Sequence, residues 1–473
     1  MASALTGQAA AARPAWRTLA WIALAAAALG VVAVVNGFPL VFPDTGTYLR
    51  QAVKLEGSLD RPPFYSLFVL PLHMTVSLWP IPFVQDAIAC YVVFRAFSIA
   101  FPELTPPRLA FAVALAGALT SLPWFSNQIM PDIFTPLILL LVFMLCLDWD
   151  RLARAERVVM PLMLLAMVAF HQANTVFTLV LLAAALLLAA GRRARGQPRP
   201  ALLRSTLLVA VPVALAVLGQ ALYGYVVIRR FTPSPAAPFF ALARLLDDGP
   251  ARRYLAASCP AAGYTLCQYQ DAIRGDNNAF LWGADSPLQA LIREKREAGA
   301  LNEASAIVSG TVRAYPGAVL LHAAENAAGQ LLHAATTDTD CPCLGGKVAR
   351  VIAEIFPREQ AAYANSLQNR GLLPWLALTV LDNVVLGASL AFLAAVVVVQ
   401  RRALAGDAGR LLVLIAWGCV ANAALMGALS GIADRYEARI AWLVPFFAFA
   451  LLLSRRLVLI GPTATGRRAP GSR

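Results

Sequence analysis

The sequence predicts an all-α protein: a polytopic membrane helical bundle of about ten spans plus an interfacial helix, carrying a small, mainly helical external lobe. Three observations predict it. Of 473 residues, 59% are hydrophobic and 14% charged, with a mean hydropathy of +0.66, outside the range of soluble globular domains. The apolar runs are unbroken, as in "TLAWIALAAAALGVVAVV" and "LTVLDNVVLGASLAFLAAVVVV", whereas a membrane β-barrel alternates polarity in segments of about 10 residues. The third observation is the placement of the basic residues. They cluster at Arg13 and Arg17, Arg151 to Arg157, Arg192 to Arg204, Arg401 to Arg410 and Arg455 to Arg473, in short segments beside apolar runs. That is the positive-inside pattern, so the net charge of +13 reports topology and implies no nucleic-acid partner.

At about 20 residues per crossing, spans are expected at 17–36, 82–101, 108–124, 131–148, 158–170, 173–190, 205–228, 373–399, 411–430 and 440–459. Ten spans place both termini in the cytoplasm. The segment 64–79 is apolar too, but counting it as a span would move the later Arg clusters to the external face. With Pro62, Pro63, Pro71 and Pro80 around it, it is expected to lie in the interface. A cleaved signal peptide is the competing reading of the first span, but its run is long and no A-x-A site follows it. Three units follow: an N-terminal membrane module 1–228 with external loop 37–63 and interfacial segment 64–79, an external loop domain 229–372, and a C-terminal membrane module 373–473.

The loop 229–372 holds 14 basic and 13 acidic residues and shows helical patterning in "SPLQALIREKREAGALNEASAIVSGTVRAY" and "GAVLLHAAENAAGQLLHAAT". Cys259, Cys267, Cys341 and Cys343 fall in it, while Cys90, Cys146 and Cys419 fall in spans. Four cysteines on an oxidising face suggest two disulfides of three alternative connectivities. Zinc held by "CPC" and His333 is the lesser alternative, because that spacing is no recognised finger.

Once the topology is assigned, the uncommon polar groups sort to one side. Asp44, Tyr48, Asp60 and Arg61 follow span one; Asn127, Gln128 and Asp132 lie between spans three and four. His171, Gln172 and Asn174 lie between five and six, and Asp434, Arg435, Tyr436, Glu437 and Arg439 between nine and ten. The helix before "FHQAN", 158–170, reaches only about 20 Å, so its turn is expected below the membrane surface, beside protein or a water-filled cavity. A polar cavity open to the outside, bounded by Asp44, Asp132 and His171, is the implied arrangement. Each residue also has a plainer role. Asp44 and Asp132 suit helix caps, His171 a packing hydrogen bond, and "DRYEAR" a charged turn. Arg95, inside a span, is expected to snorkel.

The stretch "PDTGTYLRQAVKLEGSLDRPPFYSLF" resembles the first external loop of the GT-C membrane glycosyltransferases, the superfamily of protein O-mannosyltransferases and aminoarabinose transferases. Asp44, Tyr48, Arg61, Pro62 and Pro63 match the order of its motif. "SNQIMPDIFTPLILLLVFMLCL", "AFHQANTVFTLVLL" and "DRYEARIAWLVPFFAFALL" are similar to later segments of the family, so the resemblance covers 17–228 and 373–459 but not the external loop. It departs from the family where Thr45 replaces a second acidic residue after Asp44. The resemblance implies a sugar donor on a polyprenyl phosphate, a membrane lipid partner and a site on the external face of a bacterial inner membrane. On that reading Asp44 is the catalytic base. Tyr48, Arg61, Asp132, His171, Asn174, Arg435 and Tyr436 bind substrate, and a divalent cation, if one is used, sits at Asp44 and Asp132. The competing classes are a non-catalytic polytopic protein and a lipid or glycan transporter. Donor sugar, acceptor and oligomeric state are not legible.

Overall fold

Helix length divides the bundle into two kinds. The computed structural model describes residues 15–194, 202–273, 276–337 and 343–457. Among them seven helices are long and apolar enough to cross a bilayer: Trp16–Asn36, Pro80–Ala100, Ala173–Gly191, Leu202–Ile228, Trp375–Val399, Asp407–Leu429 and Arg435–Ser454. Those are the marks of a multi-pass membrane protein. The other three expected spans are helices of 14 or 15 residues, Pro106–Leu119, Phe134–Leu147 and Glu156–Phe170, reaching about 21–23 Å.

Phe134–Leu147 explains how a short helix is accommodated. Each of its residues is buried, and it packs against Pro80–Ala100, Glu156–Phe170, Ala173–Ala194, Leu202–Ile228 and Asp407–Leu429. A helix walled by protein does not have to match the lipid thickness. The expected interfacial segment is the 10-residue helix Phe64–His73, about 15 Å long and too short to cross.

The turns separate into two ends. At one, Arg151 Nη1 lies 3.1 Å from Asp407 Oδ2, Arg456 Nη2 lies 3.1 Å from Glu103, and Arg204 pairs with Asp150 at 3.2 Å. Arg95, near the end of its span, reaches the start of helix Glu156–Phe170. Its Nη2 lies 2.8 Å from Glu156 Oε2, and the Tyr91 hydroxyl donates to the same carboxylate, so the guanidinium is paired with an acid at the arginine-rich end.

The other end gathers the loops around the lobe. Leu40 bridges to Gln128 in parallel, the Gln368 side chain clamps both backbone groups of Val41, and Ser234 donates to Gln172. The loop 229–372 has helices Ala237–Asp248, Pro250–Ser258, Asn277–Trp282, Pro287–Ala314, Pro316–Leu331, Lys347–Ile355 and Gln360–Asn365, as the patterning predicts. Its core is divided. Leu242, Leu246, Leu291, Leu301 and Ile307 form their own cluster, while Val348, Val351, Ile352 and Tyr363 join the core of the membrane bundle. Cys259 and Cys267 form one disulfide. Cys343 is disulfide-bonded too, which removes it as a zinc ligand; Cys341 lies outside the described residues.

Candidate functional site

The site is built on the loop after the first span. Gly37 turns the chain at φ +78°, a conformation glycine adopts without strain. Backbone bonds from Leu40 to Asn127 and from Ile129 to Leu40 hold the next residues, and Thr45 Oγ1 donates to Ile129 O at 3.0 Å. The helix Thr45–Lys54 then starts, burying Tyr48, Leu49 and Ala52. Helix Lys347–Ile355 lies across it so closely that a Cβ on Gly46 would come 3.1 Å from the Val348 backbone nitrogen. Charged pairs fasten the crossing, Arg50 and Lys54 both reaching Glu354.

Asp44 stands at the N-cap of this helix but its side chain makes no cap hydrogen bond. It turns instead to Arg61, whose Nη2 and Nε lie 2.5 and 3.2 Å from Asp44 Oδ2. Arg61 also donates to Asp60 O at 3.0 Å. Burial opposes the Arg61 charge, but Asp44, with Tyr48 and Asp60, outweighs it and holds its pKa well above the ordinary value. The two Arg61 nitrogens converge on one Asp44 carboxylate oxygen, a charge-assisted pair.

The second wall comes from the last span. "DRYEAR" is not a turn: the helix begins at Arg435, and Glu437 and Arg439 are buried. Arg439 donates to Asp132 Oδ1 at 3.0 Å and to Asn422 Oδ1 at 2.9 Å, and Asn422 donates to Glu437 Oε2 at 2.9 Å. Asp132 and Asn422 partner the Arg439 Nη donors and Asn422 partners Glu437, which lets the helix bury the motif. Asp132 is not a cap: it lies inside the 3-10 turn Pro131–Ile133, whose N-cap position is Met130, and Ile133 precedes the next helix. The Arg435 guanidinium lies over the Phe42 ring at 4.0 Å, joining the two walls by a cation–π contact.

Between the walls lies a cavity of roughly 780 Å³. Asp44, Arg61, Arg435 and Tyr436 all line it, joined by Asp60, Lys347, His333 and the aromatic Phe240 and Trp282. Four of the eight residues expected at the site are therefore brought together. Tyr48 and Asp132 are buried, at 0% and 5% exposure, and do not line the cavity. Tyr48 stacks edge-on against Tyr65 at 4.9 Å; its hydroxyl has no hydrogen-bond partner, and burial above all raises its pKa. Asn174 is a structural residue, donating to Met167 O and accepting from Thr135. His171 accepts from the Ala173 amide at 3.3 Å, the packing bond its plainer role implies, and stays outside the cavity lining.

Phe42, Lys347, Phe240 and Trp282 line the cavity, and Arg439 holds its wall, without the sequence alone singling any of them out for a role. The four-residue spacing of Arg435 and Arg439, which puts both on one helical face, is the signal that would have found Arg439. Among the described residues no group of three or more His, Cys, Asp or Glu side chains could hold a metal ion. Asp44 and Asp132 each face a guanidinium of their own, so the pair does not fit the shared divalent-cation site.

Fold and cavity together define a multi-pass helical membrane protein with a charged chamber at the lobe end. No protein-family model, curated protein or solved structure matches the chain.

Proposed function

We propose that the chain is a GT-C-type glycosyltransferase of a bacterial inner membrane, with both termini cytoplasmic, moving a sugar from a polyprenyl-phosphate donor to an acceptor on the external face. One observation carries this reading. Asp44, Arg61, Arg435 and Tyr436, from segments nearly 400 residues apart in sequence, line one chamber at the end opposite the arginine-rich turns.

The chamber supplies the two functions that inverting transfer requires. Asp44 takes the proton of the acceptor hydroxyl as its oxygen bonds to the sugar's anomeric carbon. The bond from that carbon to the phosphate oxygen breaks, and the lipid phosphate leaves with the electron pair. Arg435 and Lys347 face its charge, an arrangement suited to phosphate. Arg61 orients Asp44 in the resting site and is released toward the donor phosphate, which competes for its fork. Asp132 acts through Arg439 to set the last helix, and is a positioning residue.

The test is incubation of the purified protein with a radiolabelled polyprenyl-phosphate sugar and a membrane-extract acceptor. Label should move to the acceptor with wild type and not with Asp44→Asn at equal amounts of folded protein. Label that crosses a liposome membrane still attached to its lipid would establish the transporter reading in its place.

A further inference from the structure

We propose that a groove on the lipid-facing surface at the arginine-rich end binds one anionic phospholipid of that leaflet, apart from the chamber described above. Helices Glu156–Phe170 and Leu202–Ile228 pack together, and each carries an internal proline, Pro161 and Pro212. The bends that proline imposes face a groove of about 600 Å³ lined by Leu162, Leu165, Leu203, Leu207, Val211 and Leu215. Its length is that of one acyl chain. From Leu203 to Leu215 the helix rises about 18 Å, close to half of the roughly 30 Å hydrocarbon core.

Charge identifies the head group. Arg204 closes the groove, and its guanidinium lies 5.9 Å from the Trp149 ring centroid, with Arg157 at 5.6 Å from the same ring. Among the described residues Asp150 is the carboxylate paired with Arg204, and Arg157 donates to the Asp150 backbone oxygen at 3.1 Å. Both oxygens of that carboxylate meet Arg204, at 3.2 and 3.3 Å, but it is 75% exposed, so solvent screens the pair. Two guanidinium groups beside a single acid leave net positive charge at headgroup depth. A phosphate diester answers that net charge, and a basic pocket between helices is the recognised form of anionic-lipid binding.

The full chain, reconstituted in nanodiscs of equal dioleoylphosphatidylglycerol and dioleoylphosphatidylcholine, is stripped with detergent and its retained lipids are weighed by native mass spectrometry. Wild type should retain phosphatidylglycerol about tenfold over phosphatidylcholine, the value of one charge-assisted contact. Arg157→Gln/Arg204→Gln should bring the ratio near one. Leu207→Trp, at a lipid-facing position that leaves both arginines in place, should lose the retained lipid. The proposal is overturned by equal retention in wild type or by a phosphatidylglycerol preference that survives Leu207→Trp, which would mean a diffuse basic surface. It is equally overturned if protein from native membranes carries a polyprenyl phosphate in the groove.

Discussion

Breaking the Asp132–Arg439 pair should cost more than any surface substitution in the chain. The two side chains are 6% and 3% exposed and lie 3.0 Å apart. Replacing Asp132 by Asn removes the negative partner and leaves the guanidinium buried among Asn422 and the Tyr436 ring. Loss of one partner of a buried pair costs about 3–5 kcal/mol. With an unfolding entropy near 2.1 cal/mol/K per residue, a chain of this length loses about 1 °C per kcal/mol, so Tm should fall by about 3–5 °C. The assay is thermal unfolding in detergent, read by a thiol-reactive dye that reports exposure of buried Cys90 and Cys146. Two controls separate the pair from general damage. Asp150→Asn breaks an exposed pair of Arg204 and should move Tm by less than about 1 °C. Arg439→Gln combined with Asp132→Asn should destabilise by less than the sum of the single changes, because the double variant buries no unpaired charge. A Tm for Asp132→Asn within 1 °C of wild type would refute the burial argument.

Three further outcomes follow from the same contacts. Gly46→Val would drive side-chain atoms into the Val348 backbone; helix Lys347–Ile355 should lift from Thr45–Lys54, seen as faster amide exchange in both segments. Cys259→Ala/Cys267→Ala opens a loop of sequence separation 8, worth about 2.5 kcal/mol by chain entropy. Limited proteolysis should then cut within 250–273 at lower temperature than in wild type, with the spans intact. Lys347→Met removes a cation that lines the chamber and donates to Thr47; label transfer should slow by about tenfold with Tm unchanged.

Hydropathy made the helices legible, since apolar runs of 20 residues have few alternatives in lipid. The short helix Phe134–Leu147 reads in sequence like a lipid-facing span, because composition does not distinguish lipid from protein as its surroundings. Side-chain partners were the harder part. Asp44 after Pro43 has the sequence form of a cap, and only the long-range approach of Arg61 turns its carboxylate away. The same holds for Arg95, where the partner Glu156 lies 61 residues on, and for Arg439, whose partner Asp132 lies 307 residues back. Pairing across such separations leaves no local pattern. Sorting polar residues by side succeeded where single motifs did not: the loops at 37–63, 127–132 and 430–436 do meet around the lobe. Sidedness alone does not separate chamber from core, because Tyr48, Asp132, His171 and Asn174 share the side of the residues that line the cavity without lining it.

The most direct test is photo-crosslinking with a polyprenyl-phosphate sugar that carries a diazirine on its first isoprene unit, followed by peptide mapping. Adducts should appear on residues 42–61 and 430–436, and excess unlabelled donor should suppress them. Adducts confined to the 161–215 groove, or scattered without suppression, would contradict the assignment of the chamber to the donor.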